Sequence, residues 1–131
     1  MKNSLLLISI FILGVACYPK EQFLMVPHDQ QSFETDTTTF KLRYIQDDQY
    51  WKGDGPILFC TGSQGNVWKY YRNSGFMTET VAKNLSALVV FAEHRYFGES
   101  HPFEKDIMLD EGYNTYLTVE NVLADYVQVV N

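Results

Sequence analysis

Ala87-Leu88-Val89-Val90-Phe91-Ala92-Glu93-His94-Arg95-Tyr96-Phe97-Gly98-Glu99-Ser100 is the stretch on which the reading turns. Its first six residues are apolar without a break; the next eight are dominated by titratable and aromatic side chains. A short unbroken apolar run is the pattern of a strand buried on both faces of a parallel sheet. In open α/β sheets, ligands bind just beyond the carboxyl ends of such strands. Glu93–Ser100 therefore falls where α/β enzymes keep their working residues. The pattern recurs upstream, where Pro56-Ile57-Leu58-Phe59-Cys60-Thr61 empties into Gly62-Ser63-Gln64-Gly65-Asn66.

Outward from these two strands, Gly53-Asp54-Gly55-Pro56 reads as a turn. Before it, Phe33-Glu34-Thr35 and Thr38 to Ile45 alternate and are rich in Thr and aromatics, which predicts one or two half-exposed strands. Tyr18 to Gln30 reads as a polar lead-in. Between the apolar runs, Ser74 is the expected cap of a helix in which Met77, Val81 and Leu85 recur every four residues. A long polar loop is expected from Glu93 to Leu117. Thr118 then caps an amphipathic helix with Val119, Val122, Leu123, Tyr126, Val127 and Val130 on one face.

The order strand(s), strand, helix, strand, helix predicts an α/β fold, with antiparallel lead strands and then parallel strands joined by crossover helices. Two parallel strands make an incomplete sheet of this kind. The last helix has an apolar stripe and little to cover. Residues 17–131 therefore read as the N-terminal portion of one larger domain.

The first residues are set apart. Lys2 is followed by an apolar stretch from Leu5 to Ala16, with small residues Gly14 and Ala16 before Cys17. This is the layout of a secretory signal peptide over residues 1–16, and it is too short to span a bilayer as a helix. The chain has 131 residues and a formal net charge of −6. Residues 1–16 hold one basic residue, Lys2, so the charge beyond them is −7. An acidic chain argues against a nucleic-acid partner. Cys60 lies within a predicted strand and reads as a small core residue. No Cys/His cluster has metal-ligand spacing, so neither metal nor cofactor is implied. Asn84-Leu85-Ser86 is an N-glycosylation sequon.

Ile57 to Gly62, Gly75-Phe76-Met77 and Leu88 to Ser100 together resemble the lysosomal prolyl carboxypeptidase and dipeptidyl peptidase II family of serine exopeptidases. The stretch from Phe33 to Tyr44 resembles the family's opening strand pair, with its Phe-x-x-Arg-Tyr ending. The resemblance covers roughly residues 29 to 131. It implies an α/β-hydrolase with a helical cap inserted later in the chain. The implied activity is cleavage next to proline or small residues at one end of a peptide, in a secreted or lysosomal enzyme whose partners are peptides; a homodimer is left open.

Two departures matter. An α/β-hydrolase carries its nucleophile in a Gly-x-Ser-x-Gly elbow, followed by the acid and then the histidine. No such elbow occurs in the 131 residues, so the catalytic serine, aspartate and histidine are expected beyond Asn131 and the chain alone is expected to be inactive. In addition, the family commonly has Glu in its Gly-Asn-Glu-Gly loop, where this chain has the amide Gln64.

Ser63 lacks elbow spacing and is not a nucleophile by motif logic. Gly62, Ser63, Gln64 and Gly65 form a candidate oxyanion loop, since the loop after this strand supplies one oxyanion N–H in α/β-hydrolases; a plain tight turn is the equal alternative. Glu93, His94, Arg95, Tyr96 and Glu99 are expected to form a buried polar network supporting the site, with Arg95 paired to Glu93 or Glu99. Trp68, Tyr70 and Tyr71 read as loop packing more readily than as a proline pocket. The alternative to an exopeptidase fragment is a noncatalytic secreted homologue that binds peptides or a full-length paralogue.

Overall fold

Strand β4, Leu88–Ala92, is buried at all five positions, as its unbroken apolar run requires. In the computed structural model, which describes residues 19–32, 38–103, 112 and 114–131, it is an inner strand of a four-stranded sheet. The other strands are β1 (Lys20–Pro27), β2 (Thr39–Asp47) and β3 (Ile57–Thr61), in the order β1-β2-β4-β3. β1 and β2 are antiparallel, with Leu24 opposite Leu42, and β2 is antiparallel to β4, with Tyr44 opposite Ala92. β3 and β4 are parallel, with Phe59 beside Val90 and Thr61 beside Ala92. The expected strand over Thr38–Ile45 and the expected parallel pair are thus present. The expected strand at Phe33-Glu34-Thr35, the leader and Cys17 lie outside the described residues.

Successive strand residues face opposite ways, and each face has its own cover. Ile45, Val89 and Phe91, with Leu58 and Cys60, pack with Val67 and Ala82 from the β3–β4 connection. That connection comprises α1 (Val67–Asn73), a π-helical segment (Phe76–Val81) and α2 (Ala82–Leu85). The alternate residues Tyr44, Phe59 and Ala92 pack with Val122, Tyr126 and Val129 of α3 (Val119–Val130). The result is three layers: helices, sheet, helix.

Four sequence expectations are corrected. Tyr18 to Gln30 is not a polar lead-in, since most of it forms β1, whose Leu24 and Val26 pack with Phe40 and Leu42. The helix expected from Ser74 begins earlier. Asn66 caps α1 by accepting from the Trp68 N–H at 2.9 Å, and Ser74 lies at the C-terminal end of α1. β3 is not buried on both faces; among the described residues it pairs only with β4, and Ile57 is 48% exposed. Finally, the face that α3 buries is Asn121, Val122, Asp125 and Tyr126, leaving Val119, Leu123, Val127 and Val130 in the open. The Thr118 cap itself is as expected, its Oγ1 accepting from the Asn121 N–H at 3.2 Å.

Candidate functional site

The two parallel strands deliver two loops to one end of the sheet: Gly62–Asn66 after β3 and Glu93–Ser100 after β4. They meet at Gly62. A Cβ there would lie 2.5 Å from the Ala92 carbonyl oxygen and 2.6 Å from the His94 nitrogen, so only glycine lets the first loop pass this close to the end of β4. α3 holds the same point from the other layer, where the Tyr126 hydroxyl donates to the Gly62 carbonyl at 3.3 Å. Burial pushes the Tyr126 phenol up to about 12. Ser63 and Gln64 are exposed, and Gly62 and Gly65 are half-buried.

Glu93 is fully buried and is saturated with donors. Its Oε1 accepts from Arg43 Nη2 at 2.7 Å and from the Val67 N–H at 2.9 Å. Its Oε2 accepts from Arg43 Nε at 3.2 Å, the Glu99 N–H at 2.8 Å and the Ser100 hydroxyl at 2.8 Å. One carboxylate thus ties β2, the first turn of α1 and the β4 loop together. A buried carboxylate is tolerated only when paired and hydrogen-bonded in this way. Gly98, at φ +60, is the position where the loop folds over it; a Cβ there would stand 1.9 Å from Glu93 Oε1. Arg43 also reaches Glu21 on β1 at 3.4 Å, and Glu21 accepts from the Trp68 indole N–H.

Arg95, also fully buried, forms a second centre. Its Nε and Nη2 donate to Asp125 Oδ2 and Oδ1 at 2.7 and 2.8 Å, the planar fork-to-carboxylate geometry special to arginine. Nη1 donates to the carbonyls of His28 at 2.7 Å and Tyr116 at 3.0 Å, and Nη2 to that of Pro27 at 3.3 Å. Asp125 Oδ1 accepts further from Gln30 Nε2 at 2.8 Å. Arg95 thus fastens α3 to the end of β1.

The expected network is therefore two networks with different partners. Arg95 pairs with Asp125, not with Glu93 or Glu99. Glu93 pairs with Arg43. Glu99 stays outside, its side chain exposed and only its backbone N–H engaged. Arg43, Ser100 and Asp125 were missed as members. Nothing local marks Arg43 and Asp125, whose partners lie 50 and 30 residues away along the chain, whereas Ser100 lies in the same string as Glu93, seven residues on. Ser100 follows Gly98 at elbow spacing, yet it is fully buried; it accepts from the Arg43 N–H at 2.9 Å and donates to Glu93.

Tyr96 is buried in the left-handed region at φ 70, a conformation a bulky residue adopts only when its surroundings impose it. Here its N–H donates to the Ser100 carbonyl at 2.7 Å, closing the loop. Its phenol is raised above the ordinary value, chiefly by burial. His94 is half-buried. Its Nδ1 lies 2.7 Å from the Arg95 carbonyl, which can only accept, so the neutral ring carries its proton on Nδ1 and presents Nε2 as an acceptor. His94 and Gln64 line a cavity of about 270 Å³ with Phe97, Leu117, Val122 and Leu123. The candidate loop and the candidate histidine therefore share one recess at the carboxyl ends of the parallel strands.

Trp68, Tyr70 and Tyr71 pack against the Ile45–Phe91 core and not into this recess. Tyr71 lies edge-on to Phe91 at 5.4 Å and donates to Asp47 at 2.5 Å. Cys60 is a half-buried free thiol, its pKa raised by burial. Among the described residues no group of His, Cys, Asp or Glu could hold a metal ion, and no helix is long and apolar enough to cross a membrane.

The chain is 45% identical over 103 residues to the lysosomal Pro-X carboxypeptidase of Bos taurus, and 44% over 103 residues to that of Homo sapiens. Each match takes in 78% of this chain and 20% of the relative. It is 38% identical over 107 residues to prolyl carboxy peptidase like protein 5 of Caenorhabditis elegans, 82% of this chain and 21% of that one. The chain thus spans about one fifth of the length of these relatives. Residues 29–131, which include both loops and both buried ion pairs, match the family model for serine carboxypeptidase S28, and the chain belongs to that family.

Proposed function

We propose that residues 17–131 form the first part of an α/β-hydrolase peptidase domain, preceded by a signal peptide over residues 1–16. The complete enzyme is a secreted or lysosomal serine exopeptidase that removes residues from peptides next to proline or small side chains. The observation that carries this reading is the meeting of the Gly62–Gly65 loop with the end of β4. In α/β-hydrolases the loop after the third strand supplies one N–H of the oxyanion hole. Here that loop leads into α1 and is fixed from both sides, by β4 and by Tyr126. Each oxyanion donor contributes on the order of 3 kcal/mol to the transition state. Rigid placement matters because such donors act without reorganising.

In this reading Glu93, with Arg43, and Arg95, with Asp125, are positioning groups. They hold the two loops and α3 in register and touch no substrate. The nucleophile, its histidine and its acid come from a Gly-x-Ser-x-Gly elbow and later segments that these 131 residues do not contain. The chain alone hydrolyses nothing. The lysosomal Pro-X carboxypeptidases among the relatives support both the substrate class and the compartment.

The test is a chimera in which residues 29–131 replace the matching stretch of the bovine relative. The chimera should react with a fluorophosphonate probe and release the residue that follows proline, whereas the 131-residue chain should do neither. A protease-resistant, secreted chimera that does neither would overturn the reading. The second reading, a noncatalytic homologue that binds peptides or a full-length paralogue, has one observation in its favour. An open apolar trough of about 480 Å³ runs between β3 and α3, lined by Phe59, Leu123, Tyr126, Val127 and Val130. Open strand edges accept extended peptides.

A further inference from the structure

The Asn84-Leu85-Ser86 sequon sits at the end of α2, four residues before β4 begins. Asn84 is exposed and Leu85 is 49% exposed. Ser86 is fixed. It has φ 51 and ψ 42, and its N–H bonds back to Ala82 and Lys83. The turn at Gly55 packs directly on its backbone: a Cβ on Gly55 would lie 1.8 Å from the Ser86 carbonyl oxygen. So the backbone of the turn is clamped while the Asn84 side chain leaves the surface. The left-handed position that ends a helix favours glycine. Serine stands there against that preference, and it is one of the two residue types the sequon accepts at its third position.

We propose that Asn84 carries an N-linked oligosaccharide. The inference rests on the reading that the chain enters the secretory pathway. In the transfer, Asn84 Nδ2 forms a bond to C1 of the first sugar of a lipid-pyrophosphate-linked oligosaccharide. The C1–O bond breaks, the lipid pyrophosphate leaves with its electron pair, and the Nδ2 proton passes to a base of the transferase. The folded chain accommodates the product because Asn84 faces solvent. The site also lies at the amino end of β4. The candidate site is at its carboxyl end, roughly 16 Å away at the usual rise per strand residue. The glycan is therefore attached at the opposite end of β4 from both site loops.

The sequence holds a single sequon, which makes the test simple. The 131-residue chain is translated with microsomes, once with its own first 16 residues and once with a leader of established function in their place. Protease-protected chains should shift in mobility by one glycan and return on endoglycosidase treatment. N84Q and S86A should abolish the shift, and S86T should keep it. If only the substituted leader gives protected, shifted chains, the Asn84 site stands and the export reading falls. Protected chains with the substituted leader and no shift overturn the site.

Discussion

Replacing Arg95 with Met separates structural support from catalysis. Arg95 and Asp125 have side chains 0% and 1% exposed. Arg95→Met removes the guanidinium donors to Asp125, His28, Tyr116 and Pro27, leaving Asp125 with Gln30 and the Tyr116 carbonyl with Asn121. Breaking a buried ion pair by deleting one partner costs about 3–5 kcal/mol. Against a total stability of about 5–15 kcal/mol for a domain, this is a large fraction of the folding free energy. With a urea dependence of about 1–3 kcal/mol per molar, the midpoint should fall by roughly 1 M or more. Asp125→Leu should be comparably damaging, because it leaves the guanidinium buried with carbonyls alone. The double variant Arg95→Met/Asp125→Leu leaves no unpaired charge at this position. It should recover at least about 2 kcal/mol relative to the sum of the single changes, as coupled neighbours do. Urea unfolding followed by the emission of Trp51 and Trp68 reads all four corners of the cycle. An Arg95→Met protein within about 0.5 kcal/mol of the parent, the range of ordinary surface changes, would refute the reasoning. So would a double variant showing no coupling. In the chimera, the folded fraction of Arg95→Met should keep its turnover; a stable but inactive variant would move Arg95 into the catalytic machinery.

Two further outcomes follow from the same contacts. The Tyr126 phenol is neutral in the fold and held up to about 12, against 10.0 for the free group, so its contribution is complete below pH 10 and is lost as pH rises toward 12. Burial also raises Tyr71 and Tyr96, so phenolate absorbance should show a late-ionising group of tyrosines of which Tyr126 is one. Tyr126→Phe should reduce that late amplitude by one tyrosine, and an unchanged late amplitude would refute the assignment. The apolar residues left open on α3 give the second outcome. Leu123 and Val127 are 56% and 54% exposed beside the β3 trough, so Leu123→Lys with Val127→Lys should reduce dye binding and self-association of the chain at a cost within about 0.5 kcal/mol per site. A loss of folded protein without any gain in solubility would show that this face is already covered.

The sequence by itself determined the elements whose signals are local. The unbroken apolar runs gave β3 and β4, Thr118 gave the start of α3, and the glycines gave the loop after β3. The family resemblance was equally legible, because Glu93 to Ser100 is a contiguous string. What only the tertiary structure decided is which groups meet. Glu93 and Arg95 were recognisable as buried polar residues, but their partners Arg43 and Asp125 are brought to them by strand pairing and by helix docking, which no spacing rule encodes. The same docking chose the buried face of α3. Hydropathy pointed to Leu123, Val127 and Val130, yet Asn121 and Asp125 turn inward, since Arg95 and the Gln30 segment offer them hydrogen bonds. Strand β1 and helix α1 escaped for a related reason. Lys20–Pro27 becomes a strand by pairing with β2, and Val67 begins a helix whose first N–H is taken by a carboxylate 26 residues away. Periodicity reports how a segment partitions between water and an apolar interior; the pairing of buried polar groups depends on where the rest of the chain lies.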